Sequence, residues 1–472
     1  MKFLTFPITA AITVPTKFAW TKPARAPAQA CPTIRGPART IVLAILAGTL
    51  ALSVPVSGAE APLTLAEAQR RAIERSRQIP AQDAAITASR EMAAAAGQLP
   101  DPVLKLGIDN LPINGPDQFS LTSDFMTMRR IGVMQEITRS EKRQLRAQRF
   151  EREAEKSLAE RDAVIAAIRR DTALAWLDCY YAEALAAVIA QQAAQAKLEI
   201  VAAEGAYRAG RGSQADVFAA HGAQVGFEDM ASEIGRRIRT ARTALARWIG
   251  DTAATPLADK PALDVIRLDS ALLDTELVHH PEISVLARQE QIAVTEARLA
   301  QADKRADWSV EVSYAQRGPA YSNMVSFGVS IPLQWDQKNR QNRELASKLA
   351  LADQAKARRE EALRAHINEV RTMIAEWENG RERRARYDRE IIPLARERTR
   401  AALAAYQGGK ASLTDLLLAR RNEIDVRMKA VALEADVARL WGQLNFLSPE
   451  SEGMTRAGVP APAAANQAKE SK

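Results

Sequence analysis

The residues from which this chain could build a reactive site are its histidines, cysteines and carboxylates, and their spacing argues against one. Of four histidines, His279 and His280 stand together before Pro281, while His221 and His366 stand alone. The His279-His280-Pro281 run reads as a turn followed by a helix start. No HExxH, CxxC, nucleophile elbow or phosphate loop occurs. Met126-Thr127-Met128 offers soft sulfur atoms, but its place in a hairpin beside a strand reads as packing. Cys179 lies among Ala, Leu and Tyr and reads as a small core residue. The expectation is a protein that is not an enzyme, with no cofactor and no resident metal.

A second kind of chemistry is written twice. Ala206-Tyr207-Arg208-Ala209-Gly210-Arg211-Gly212-Ser213-Gln214-Ala215-Asp216-Val217 recurs as Ala405-Tyr406-Gln407-Gly408-Gly409-Lys410-Ala411-Ser412-Leu413-Thr414-Asp415-Leu416. Gly210 and Gly409 fit the left-handed position that ends a helix. Ser213 and Ser412 fit the N-cap of the next helix, with Asp216 and Asp415 three residues on as an acidic capping-box variant. Each segment is therefore the turn of a long antiparallel helical hairpin. Such a turn is also a far tip, suited to docking or gating, where Arg211 and Lys410 would offset the acids. Capping alone accounts for the serines and acids, so both readings stand.

The elements that must position these turns repeat as well. A helical stretch opens each half, 65–99 and 281–303, with Ala-rich 3.6-residue periodicity in the first. The period then changes to two. Trp308, Val310, Val312 and Tyr314 alternate with Ser309, Glu311 and Ser313, and Val325, Phe327, Val329, Ile331 and Leu333 alternate across 324–335. Leu104, Leu106 and Ile108, then Ile131 and Val133, do the same in the first half. These are strands with one apolar face. Each run is about ten residues, the length of a tilted bilayer-crossing strand, although a small sheet on a soluble core would read alike.

Residues 138–204 contain neither Pro nor Gly and predict a helix of roughly 100 Å at 1.5 Å per residue. Its counterpart, 337–407, is interrupted by Asn379-Gly380 and Pro393, where a kink or break is expected. Return helices are expected over 213–250 and 412–447. Gly222, Gly226 and Gly235 weaken the first of these, so close backbone contact is expected there.

The 472 residues are 47% hydrophobic and 26% charged, which excludes a polytopic helical membrane protein. The net charge of +8 is concentrated at one end: 1–59 hold six basic residues and no acid, and without them the balance falls to +2. Nucleic acid is therefore not implied. Arg35 and Arg39 precede an apolar run ending at Ser57-Gly58-Ala59, the order of a secretory signal, so cleavage after Ala59 is expected. The organisation predicted is a signal peptide at 1–59, a first repeat at 60–260, a second at 261–448 and a disordered tail at 449–472.

Helix, strand pair, long helix, tip turn and return helix, twice over, resemble the TolC-like outer-membrane factor family. The stretch from Asp109-Asn110-Leu111-Pro112 to Met134-Gln135-Glu136 is similar to the heavy-metal (CzcC-like) branch. The resemblance implies a mainly α fold with a β-barrel: a homotrimer in which each protomer gives four strands to one twelve-stranded barrel in the outer membrane of a Gram-negative cell. The helices would form a periplasmic tunnel below it. It implies a passive duct in a tripartite RND-type efflux complex, partnered by a periplasmic adaptor and an inner-membrane pump, exporting heavy-metal cations. At the tip, Tyr406 resembles the gate aromatic. The usual basic gate residue falls at Ala411, beside Lys410, and a second acidic position falls at Leu418, so closure by fewer ion pairs is expected. A drug-efflux or type I secretion duct, and a periplasmic coiled-coil adaptor without a barrel, are the rival readings.

Overall fold

The computed structural model describes residues 61–269 and 271–447. The expected signal peptide and tail lie outside them. The described residues belong to one compact unit.

The first half opens with α1 (Leu65–Arg75) and α2 (Gln78–Ala96), then β1 (Val103–Asp109), β2 (Met128–Ile137), α3 (Ser140–Arg208) and α4 (Gln214–Ile249). After the short α5 (Leu273–Glu276), the order recurs as α6 (Pro281–Ala302), β3 (Trp308–Gln316), β4 (Met324–Ser330), α7 (Gln341–Arg386), α8 (Ile392–Gln407) and α9 (Leu413–Asn445). Thr64 caps α1, its hydroxyl accepting from the Glu67 amide at 3.1 Å. The expected single opening helix is two, because Ser76 turns extended (ψ 134°) and its hydroxyl accepts the Gln78 amide.

The 69 residues of α3 make a rod of roughly 100 Å. It is the spine of the molecule, packing against α1, α2, α4, α6 and α9. It also contains a stretch long and apolar enough to cross a membrane by length and composition, 44% of which is buried in the protein. That stretch serves the core. Trp176, Leu177 and Tyr181 of α3 meet Leu245 and Ile249 of α4, Val370, Ile374 and Trp377 of α7, and Val437, Trp441 and Leu444 of α9. The linker 257–277 straps this core. Leu63 bonds Pro256 and Ala258 through its backbone, and its carbonyl also accepts Trp176 Nε1 at 3.0 Å.

Two expected interruptions resolve differently. The helix runs through Asn379-Gly380 without a break. A Cβ at Gly380 would lie 2.6 Å from Val437 Cγ2, so this glycine lets α7 and α9 approach closely. Pro393 does disturb the helix. It gives the Arg389 carbonyl no N–H and crowds it, and one wider π turn at Tyr387–Ile391 absorbs the misfit. In α4, Gly222 and Gly226 make no close contact within the chain, and Gly235 meets only the Arg239 guanidinium. The expected backbone contact is thus not made inside this protomer.

The four strands form one antiparallel sheet in the order β1-β2-β3-β4. β4 ends earlier than its alternation suggested, because Pro332 cannot donate to a ladder. The register aligns two apolar rows across the sheet: Leu104, Val133, Val312 and Phe327, then Leu106, Ile131, Tyr314 and Val325. All eight are exposed, Leu106 at 70% and Phe327 at 80%. On the opposite face Glu311 meets Lys105 at 2.6 Å and Arg130 at 3.9 Å, and Arg130 meets Asp109 at 3.1 Å. Gly132 sits where a Cβ would come within 2.8 Å of Ser313 Cβ, which keeps β2 and β3 close.

Replacing Trp176 by Ala removes a fully buried indole and its bond to Leu63. A cost of about 3–5 kcal/mol is expected, read as a clear fall in the thermal unfolding midpoint. An unchanged midpoint would mean that the strap and α3 do not share one core.

Candidate functional site

The two tips share the same closing bonds and the same caps. In the first, the backbone of α3 closes with the Gly210 amide donating to the Tyr207 carbonyl (3.0 Å) and the Arg211 amide to the Ala206 carbonyl (2.9 Å). In the second, Gly409 donates to Tyr406 (3.0 Å) and Lys410 to Ala405 (2.8 Å). This is the paired bonding that satisfies the last carbonyls of a helix. It requires a left-handed residue, and Gly210 and Gly409 both have φ +68°.

The return helices start on full capping boxes. The Ser213 hydroxyl accepts the Asp216 amide at 3.2 Å, while Asp216 Oδ2 accepts the Ser213 amide at 2.9 Å and its hydroxyl at 2.7 Å. Ser412 and Asp415 repeat this at 3.1, 3.1 and 2.7 Å. Bonds from the Ser213 amide and hydroxyl hold the Asp216 carboxyl below its ordinary value. The Ser412 hydroxyl, then its amide, does the same for Asp415. Both acids are therefore ionised at neutral pH and bound to their own caps.

The tips pack together. Ile200 and Ala203 of α3 and Ala220 of α4 form a buried cluster with Leu413 and Leu416 of α9. Tyr406 is half-buried against this cluster, whereas its counterpart Tyr207 is exposed. Arg211, Lys410, Ser213, Ser412 and Asp415 are exposed at the end of the hairpins, and Asp216 is half-exposed. All nine expected tip residues thus fall at one end of the helical body, with four oppositely charged side chains (Arg211, Asp216, Lys410, Asp415) presented there.

Sequence reasoning missed the links between the hairpins. Arg420 of α9 pairs with Glu199 of α3, and both are largely buried. Burial pushes the Glu199 carboxyl up, and Arg420 opposes it. Further along, Arg427 bonds Gln191 at 2.9 Å and Arg439 bonds Asp178 at 2.7 Å. Between them Glu434 takes Lys260, Arg384 and the Tyr181 hydroxyl. The heptad spacing of Arg420, Arg427 and Glu434 was the available signal, one stripe on one helix. Beside Arg420, α3, α4 and α9 enclose an open groove of about 310 Å³ floored by Gly222 and Gly226. Cys179 is buried, and burial pushes its thiol up to about 11, so it is inert core.

Residues 272–448 match the outer membrane efflux protein family. No curated protein matches the chain in sequence. Solved structures share its fold: the outer-membrane channel OprN (16% identity, 82% of this chain and 90% of that one, TM-score 0.69); CusC (15%, 82% and 92%, 0.68); and the outer membrane protein VceC from Vibrio cholerae (18%, 81% and 95%, 0.67). The chain is mainly helical with a small antiparallel sheet, in the architecture of those channels.

Ser213→Ala and Ser412→Ala should each cost about 1 kcal/mol of cap stability, seen as faster hydrogen exchange confined to the tips. The acids add a pH dependence. Their folded-state pKa values are lowered, so the cap contribution is complete above the ordinary carboxylate value and disappears as pH falls through the lowered one. Tip exchange that is flat across that acidic range would remove the carboxylates from the caps.

Proposed function

We propose that this chain is the outer-membrane duct of a tripartite efflux system. The observation that carries the reading is the sheet, whose two apolar rows lie bare on a chain whose spine, α3, is a rod of roughly 100 Å. Apolar rows of this size suit lipid, and the polar face with Lys105, Glu311, Arg130 and Asp109 suits a water-filled lumen. Trp308 and Trp335, exposed near the end of the sheet that meets the helices, suit the membrane interface.

β1 and β4 are open edges, and a membrane sheet must close to satisfy them. Four strands are too few for a barrel, so several copies share one. Three copies, giving twelve strands, follow from the resemblance to the TolC-like family. The bare stripe of Phe218, Gly222, Val225 and Gly226 on α4 suits a neighbouring protomer's helix. The signal at 1–59 delivers the chain to the envelope, and the two repeats, 60–260 and 261–448, supply strands and hairpins alike. Energy comes from an inner-membrane RND-type pump, joined through a periplasmic adaptor at the tips.

Heavy-metal cations are the cargo favoured by the 109–136 segment, with its resemblance to the CzcC-like branch. A drug-efflux or secretion duct is the second reading, because the fold match to CusC is no better than those to OprN and VceC and so singles out no cargo. Restoring metal resistance, but not drug resistance, to a cell lacking its own duct distinguishes the two.

Native mass measurement in detergent should give three chains. A stable monomer, or recovery in the soluble periplasm, would sink the barrel.

In a trimer, three copies each of Asp216 and Asp415 would ring the periplasmic mouth and favour cations. Asp216→Asn with Asp415→Asn keeps an acceptor oxygen for each cap and should lower cation-over-anion permeability in bilayer recordings. Unchanged permeability would reduce both acids to caps.

A further inference from the structure

The duplication is unequal at one joint. Two residues, Thr138 and Arg139, join β2 to α3, whereas ten, 331–340, join β4 to α7. The longer joint has two sides. On one, the Gln334 side chain donates to the Asp303 carbonyl at 3.0 Å and the Gln337 side chain to the Lys304 carbonyl at 3.2 Å. These bonds fasten the segment to the end of α6. The other side is bare. Ile331, Leu333 and Trp335 continue the outward alternation of Val325, Phe327 and Val329, and all are exposed, Trp335 at 88%. Lys338, Arg340 and Arg343 follow directly and are exposed too. Among the described residues none of these three has a carboxylate partner. The neighbouring acids are engaged elsewhere: Asp336 accepts from the Asn339 amide at 3.2 Å and its side chain at 2.9 Å, and Glu344 lines a groove with Arg146, Arg149 and Lys348.

We propose that 331–343 is a site for an anionic phospholipid of the leaflet nearer the helices. Its acyl chains would lie against Ile331, Leu333 and Trp335, and its phosphate among Lys338, Arg340 and Arg343. The proposal rests on the reading of the sheet as part of a membrane barrel and adds a headgroup preference to it. An indole between an apolar run and a basic one marks the boundary of hydrocarbon and headgroups. Basic side chains just beyond that boundary attract anionic lipid, each by roughly fivefold in affinity. No preformed pocket is needed, because long cationic side chains extend to a fluid headgroup layer. Unpaired cations favour a headgroup of net negative charge over a zwitterionic one, whose amine brings its own cation. A soluble phosphate would gain nothing from the apolar run. Pairing of β4 with a neighbouring copy uses backbone groups in the plane of the sheet, so the outward side chains stay open to lipid.

The test is native mass measurement on the purified full chain in detergent, with phosphatidylglycerol and phosphatidylethanolamine added in equal amounts. The unaltered chain should retain phosphatidylglycerol preferentially. Lys338→Gln with Arg340→Gln and Arg343→Gln should lower its retention by roughly a hundredfold, to the level of phosphatidylethanolamine, with assembly unchanged. Arg340→Lys with Arg343→Lys should keep the preference, because charge is what the lipid reads. Trp335→Ala should weaken both lipids and leave their ratio alone. Equal retention of the two lipids by the unaltered chain would overturn the site, as would a preference that survives in the Gln variant. Displacement of phosphatidylglycerol by inorganic phosphate would also overturn it, by revealing a simple anion site. Lipid is counted per chain, so recovery of monomers would reject the shared barrel while the lipid comparison still decides the site.

Discussion

Two aligned apolar rows on an uncovered sheet are the constraint from which the rest follows. Eight large apolar side chains aligned on one exposed face are costly to leave in water and mark a surface to be covered, and open edges on β1 and β4 add unpaired backbone groups. On the proposed reading both problems disappear together, because the sheet closes with other copies inside a bilayer. The junction to the helices must then be firm, because the sheet's own chain holds it from one side only. Lys142, 3% exposed at the start of α3, bonds Asp307 at 2.9 Å and lies 3.3 Å from Asp303. Asp307 also accepts the Arg139 amide. One buried cation thus ties the start of α3 to the end of α6 and the start of β3. Removing it would leave Asp307 without its buried counter-charge, which costs more than the pair itself contributes.

Within the helical body, α3 and α9 meet through apolar and charged contacts together. Trp176, Leu177 and Tyr181 meet Val437, Trp441 and Leu444, Ile189 meets Ile424, and Ile200 and Ala203 meet Leu413 and Leu416. Glu199 with Arg420 and Asp178 with Arg439 flank these contacts, while Glu434 of α9 takes Tyr181 of α3, Lys260 of the linker and Arg384 of α7. Burial pushes Glu434 up, yet Lys260 and Arg384 hold its carboxyl below the ordinary range. Glu199, with Arg420 alone, is pushed up. Paired charges can exchange partners or take water where apolar packing would have to open a void.

Much of this was written locally. Alternation over 308–314 and 324–330, the Pro- and Gly-free run of α3, and the duplicated Gly-Ser-Asp turns depend on residues within a few positions of each other, so strands, spine and caps were determined by the sequence itself. Even Pro393 declared its disturbance, because a missing N–H acts on its own turn. What the tertiary structure decided were relations between distant segments. Gly380 looked like a breaker until Val437 was placed against it. Gly222 and Gly226 looked ready for close contact and proved bare. His280 and His366, whose rings stack, or Glu199 and Arg420, carry no mutual signal along the chain. Their pairing depends on which helix faces meet, and that is set by the combined burial of Trp176, Trp377, Trp441 and their neighbours rather than by any short run of residues.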